Sequence, residues 1–113
     1  MVEYNHEERL SILLKAVSDA TRRALLTRLC QHGESRVTDL AGQYDMSLNA
    51  ISKHIKVLEN AGLVSRKLRG RTHWIAAELR QVEVISDWLA SLQSIWALRL
   101  DKLDTLLNKG ENT

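Results

Sequence analysis

The sequence predicts a mainly α-helical fold of about five helices with a two-stranded β-hairpin. Three features of residues 47–73 predict it: a capped amphipathic helix, a glycine stop and a basic hairpin in unbroken succession. Ser47 is a good N-cap, and Leu48, Ile51, Ile55 and Leu58 repeat every three or four residues behind it. Gly62 follows as the left-handed residue that ends the helix. Val64–Leu68 and Thr72–Ala76 read as strands around Arg69-Gly70-Arg71, a tight turn in which Gly70 supplies the positive φ and two arginines stand at the tip. That succession is the pattern of a winged helix-turn-helix.

On the polar side of the same helix, Asn49, Ser52, Lys53 and Lys56 collect opposite the apolar stripe, at roughly 100° per residue. Short hydrogen-bonding groups beside cations suit base edges and phosphates in a major groove. Residues 47–73 carry Lys53, Lys56, Arg66, Lys67, Arg69 and Arg71 against Glu59 alone, a local +5 in a chain of net +2, so the remainder is −3. A basic segment on an otherwise acidic domain is the footprint of a duplex binder. The candidate DNA-contacting residues are therefore Ser47, Asn49, Ser52, Lys53, Lys56, Arg66, Lys67, Arg69 and Arg71, with His73 on the return strand either at a phosphate or in solvent. His54 lies about 140° round from Asn49, which points it at the core edge and a structural hydrogen bond rather than at a base.

The remaining elements follow in order. Glu7–Val17 places Leu10, Leu13, Leu14 and Val17 on one side of a first helix; Asp19 caps a second with Leu25, Leu26 and Leu29, ending near His32-Gly33. Thr38–Tyr44 is a short third helix with Leu40 and Ala41 inward, and Asp45-Met46-Ser47 is the turn before the recognition helix. With 113 residues, 44% apolar, no Pro and no linker, the chain reads as one domain over 1–113 with an aliphatic core. No apolar run approaches a membrane span and the start MVEYNHEERL is polar, so a cytoplasmic protein is expected. The lone Cys30 excludes an internal disulfide; after Leu25, Leu26 and Leu29 it reads as a small buried hydrophobe, with a redox-sensing thiol as the alternative.

Two blocks carry a family resemblance. KAVSDATRRALLTRL at 15–29 and SKHIKVLENAGLV at 52–64 resemble the start of the second helix and the S-x-H-L-x-x-L-x-x-A-G-L-V segment of the ArsR/SmtB superfamily, with Ala20 where the family usually has Pro. The resemblance implies a dimeric winged helix that binds an inverted-repeat operator and represses transcription until a metal, an oxidant or another signal releases it. The helix before the turn in the best-known members often has a Cys-x-Cys pair, whereas Arg36-Val37-Thr38-Asp39-Leu40 has no thiolate or imidazole. The other common site uses Asp/His pairs on the last helix, yet His6, His32, His54 and His73 all precede residue 79. Cys30 and His32 are too close to be side-by-side helical ligands, and His6 falls in a start expected to be mobile, so no metal site and no cofactor are expected. The ending SIWALRLDKLDTLL resembles a metal-independent branch with a Trp-x-x-Arg-Leu-x-x-Leu pattern.

The final segment, Leu79–Leu107, is long and apolar enough to serve a partner as well as its own core. As one helix it would run roughly 40 Å. Ile85, Leu89, Leu92, Trp96, Leu103 and Leu106 form a seam interrupted by Arg99, beside a second stripe of Trp88, Ile95 and Leu98. Homodimerisation through this helix and the first is expected, with Leu10, Leu14, Ile85, Trp88, Leu89, Leu92, Trp96 and Leu103 at the interface; Trp88 and Trp96 lining an effector pocket is the alternative. No nucleophile elbow, phosphate-binding Gly loop or Cys-x-x-Cys supports catalysis. The expected function is a sequence-specific DNA-binding regulator, a repressor on a palindromic operator. The rivals are a winged-helix protein-interaction module and a ligand- or redox-switched sensor of the same fold.

Overall fold

The computed structural model describes residues 4–111. The chain runs α1 (His6–Val17), α2 (Ala20–His32), β1 (Ser35–Arg36), α3 (Val37–Gln43), α4 (Leu48–Asn60), β2 (Val64–Arg69), β3 (Thr72–Ala77) and α5 (Val82–Glu111). Local chemistry sets most boundaries. Asn5 and Glu8 form a reciprocal capping box at α1, so His6 opens a helix. Asp19 caps α2 through the Arg22 N–H at 3.1 Å, and Gly33, at φ +79°, ends it. Between α3 and α4, Asp45 adopts φ +49°, a conformation aspartate tolerates, and the Tyr44 hydroxyl donates to the Ala24 carbonyl at 3.0 Å, pinning the turn to α2.

The recognition helix begins and ends as its sequence predicts. Ser47 Oγ accepts from the Ala50 N–H at 3.1 Å. At the other end Gly62, at φ +76°, lets its own N–H reach the Glu59 carbonyl and that of Leu63 reach Leu58, a Schellman closure. A side chain at Gly62 would also meet Gln81 Cγ at 3.2 Å.

The sheet departs from the expected two-stranded hairpin. Ser35–Arg36 adds a third strand, β1, paired antiparallel with β3 in the order β1-β3-β2. Two residues are too few to carry a periodicity, so only the tertiary pairing identifies this strand. The hairpin turn is Gly70-Arg71 between paired Arg69 and Thr72. Positive φ occurs at Gly70 and not at Arg71, the pattern of a type II′ turn.

Leu13, Leu25, Leu40, Ile51, Ile55, Leu58, Leu63 and Ile75 make a fully buried aliphatic core between α1–α4 and the sheet, and no polar residue is buried among those described. Helix α5 starts at Val82, later than expected, and its first turn supplies Val82, Val84 and Ile85 to the edge of this core. Arg9 of α1 donates to Gln81 Oε1 at 2.9 Å beside that junction. Beyond it α5 projects, and the molecule extends 77 × 33 × 20 Å. No helix among the described residues is long and apolar enough to cross a membrane.

Candidate nucleic-acid interface

Ser47, Asn49, Lys53 and Lys56 are exposed on α4 and Ser52 is half-buried, as an amphipathic helix with one face on the core requires. The hairpin stands on the flank of α4, joined to it by Arg66 Nε, which donates to Glu59 Oε2 at 3.3 Å. Arg66 is thereby half-buried and engaged by Glu59. Arg69 is also occupied: its guanidinium pairs with Glu34 and lies 5.4 Å from the centre of the Trp74 ring. Lys56 Nζ sits 3.9 Å from Glu59 Oε1, a loose exposed pair.

Of the six cations, that leaves Lys53, Lys67 and Arg71 exposed and without an ion pair among the described residues, with His73 exposed beside them. Next to the wing, Arg36, Thr38, Leu48, Arg71 and His73 line a groove of about 280 Å³. Arg36 itself is bound bidentately by Asp39, at 2.9 and 3.2 Å; the hydrogen-bonded carboxylate raises the guanidinium's pKa and satisfies its charge.

His54 turns inward. Its Nδ1 lies 3.3 Å from Arg22 Nη1 and 3.8 Å from Asp19 Oδ2. Arg22 in turn donates to the carbonyls of Ala16 and Lys15, so one imidazole links α4 to the α1–α2 junction. The Arg22 backbone N–H holds the Asp19 carboxyl below the usual carboxylate range, assisted by the charges of His54 and Arg22.

Several side chains stand elsewhere than the sequence predicts. Leu48 is exposed, not part of the buried stripe, because first-turn side chains lean towards the N-terminus and project past the helix end. Cys30 is exposed as well: one residue beyond buried Leu29 rotates it about 100° off the core face. Leu10, expected between subunits, is 6% exposed and so already covered within its own chain, while Leu14 is half-buried. Ile85 packs on the core edge; Trp88, Leu89, Leu92, Trp96 and Leu103 are all exposed. Among the described residues no three His, Cys, Asp or Glu side chains gather where they could hold a metal ion.

Comparison with known proteins places this arrangement. Residues 19–66, from the α2 cap into the wing, match the family described as bacterial regulatory protein, arsR family. The chain is 40% identical over 65 residues to the uncharacterized HTH-type transcriptional regulator YuzN of Bacillus subtilis (strain 168), across 52% of this chain and 71% of that protein. It is 31% identical over 70 residues to the arsenical resistance operon repressor of the same organism, across 62% and 65% respectively. A crystal structure of an ArsR family transcriptional regulator superposes with a TM-score of 0.76 at 36% identity, covering 86% of this chain and 97% of that one. The capped α2 and the recognition helix lie within residues 19–66, which end inside β2, and the chain belongs to the ArsR family of transcriptional regulators, which are not enzymes.

Proposed function

We propose that this regulator is a repressor that acts in the cytoplasm as a homodimer on an inverted-repeat operator. The observation that carries the reading is the selective pairing of its cations. Arg66 and Arg69 are tied down by Glu59 and Glu34, whereas Lys53, Lys67 and Arg71 stand exposed on the recognition helix and wing with no carboxylate among the described residues to satisfy them. Free cations on a helix N-terminal half and a hairpin tip suit a duplex, with phosphates fixing position and Asn49 and Ser52 facing base edges.

The dimer is supported by α5. From Ser86 to Gly110 every residue is exposed in the single chain, including Trp88, Leu89, Leu92, Ile95, Trp96, Leu98 and Leu103. Soluble monomers rarely leave so large an apolar surface in water. A second copy across a two-fold axis would cover it and set two recognition helices roughly 34 to 36 Å apart, one turn of DNA, which makes the site palindromic. Leu10 contributes through its own chain's packing rather than across the axis. Repression is the activity named for the arsenical resistance relative, and a dimer seated on an operator needs no further surface to obstruct transcription.

Binding of two variants to operator and to random duplex tests the proposal. Arg71→Ala is expected to weaken binding to both alike. Asn49→Ala should lose about 1 to 3 kcal/mol on the operator alone. Equal losses on both duplexes for Asn49→Ala would remove it from base recognition.

A further inference from the structure

Leu48 belongs by spacing to the repeat of Ile51, Ile55 and Leu58, yet those three are buried to 1% or less while Leu48 is 51% exposed. It opens α4, the end of a recognition helix that meets base edges. At about 100° per residue it lies roughly 40° from Ser52, on the arc that continues to Lys56 and Asn49. It also lines the groove with exposed Thr38 of α3 and with Arg71 and His73 of the wing. An apolar side chain thus sits in a cationic rim whose neighbouring charge, Arg36, is already neutralised by Asp39. In the major groove the one apolar group a base pair presents is the thymine C5-methyl.

We propose that Leu48, flanked by Thr38, reads a thymine methyl in each operator half-site. The inference rests on the DNA-binding reading above and adds a specificity-determining residue to it. The polar arc, Asn49 and Ser52, then addresses hydrogen-bonding edges, while Leu48 distinguishes thymine from cytosine and from uracil by shape and desolvation alone. Because the side chain makes no ion pair, its removal changes base preference without changing the number of phosphates neutralised.

The test uses the full chain and duplexes recovered by selection from random DNA. Each thymine is replaced in turn by deoxyuridine, which differs only in the methyl. At one position per half-site the replacement should weaken binding about fourfold, the factor that burial of a single methyl supplies. Leu48→Ala should abolish that thymine-over-uracil difference with an unchanged salt slope and circular dichroism spectrum; Leu48→Met, which keeps an apolar contact, should retain it. Equal affinity for thymine and uracil at every position, or a difference that survives in Leu48→Ala, overturns the assignment while leaving DNA binding intact. Absence of affinity for any duplex overturns the DNA-binding reading and this inference together.

Discussion

Between Leu13 and Ile75 the chain fully buries eight large aliphatic side chains against one another, whereas from Ser86 to Gly110 it buries none. Both regions hold apolar residues at helical spacing, and α5 is the richer of the two in tryptophan. The difference lies in what surrounds them. Helices α1–α4 and the sheet face each other across one core, but no described residue of α5 past Ile85 joins it. A helical stripe therefore becomes core only where the fold supplies an opposing surface, and on α5 the proposed second copy would supply it.

The largest effect should come from removing that second surface. Replacing Leu92 and Trp96 together by Glu puts charges at the centre of the exposed face. The expected outcome is a monomer, or an unfolded chain if folding and association are inseparable. Sedimentation and circular dichroism distinguish the two, and a folded dimer with unchanged DNA affinity would show that the symmetry axis lies elsewhere. The core should respond more locally: Leu25→Ala or Ile55→Ala leaves a cavity and should cost about 2 to 5 kcal/mol in denaturant unfolding. Leu106→Ala, at the far end of α5 and 65% exposed, should stay within about 0.5 kcal/mol unless the partner reaches that turn.

Smaller effects concern the junction and the metal question. Asp19 titrates below its ordinary value of 3.8 in the folded chain, so its stabilising contribution is complete above the unfolded-state pKa and is lost as pH falls through the lower, folded one. Asp19→Asn keeps a capping oxygen and removes this titration, so acid unfolding below about pH 4 should be shallower in the variant. An identical acid profile would exclude Asp19 as a contributor. Stoichiometric zinc, cadmium or arsenite should leave operator binding unchanged, because α3 has no Cys pair and α5 has no histidine. Metal-dependent release would reveal a site shared between subunits.

Capping and periodicity made most of the fold legible in the sequence: Ser47, Gly62 and Gly70 act at the positions their chemistry predicts. Pairwise geometry was not legible. That Glu59 claims Arg66 and Glu34 claims Arg69 depends on side chains separated by 7 and 35 residues meeting in space, which no local pattern encodes. The β1 strand is too short to show alternation. Leu48 departs from its stripe because periodicity fixes the direction of a side chain but not where its helix outruns the core, whereas Cys30 departs because it points about 100° away from buried Leu29.

The most direct test of the account is the salt dependence of binding to a duplex. With Lys53, Lys56, Lys67 and Arg71 available on each protomer, a proposed dimer would neutralise about 6 to 8 phosphates, and affinity should fall on the order of 10³ to 10⁴ between 50 and 200 mM salt. A flat response would contradict a cationic helix-and-wing surface seated on DNA.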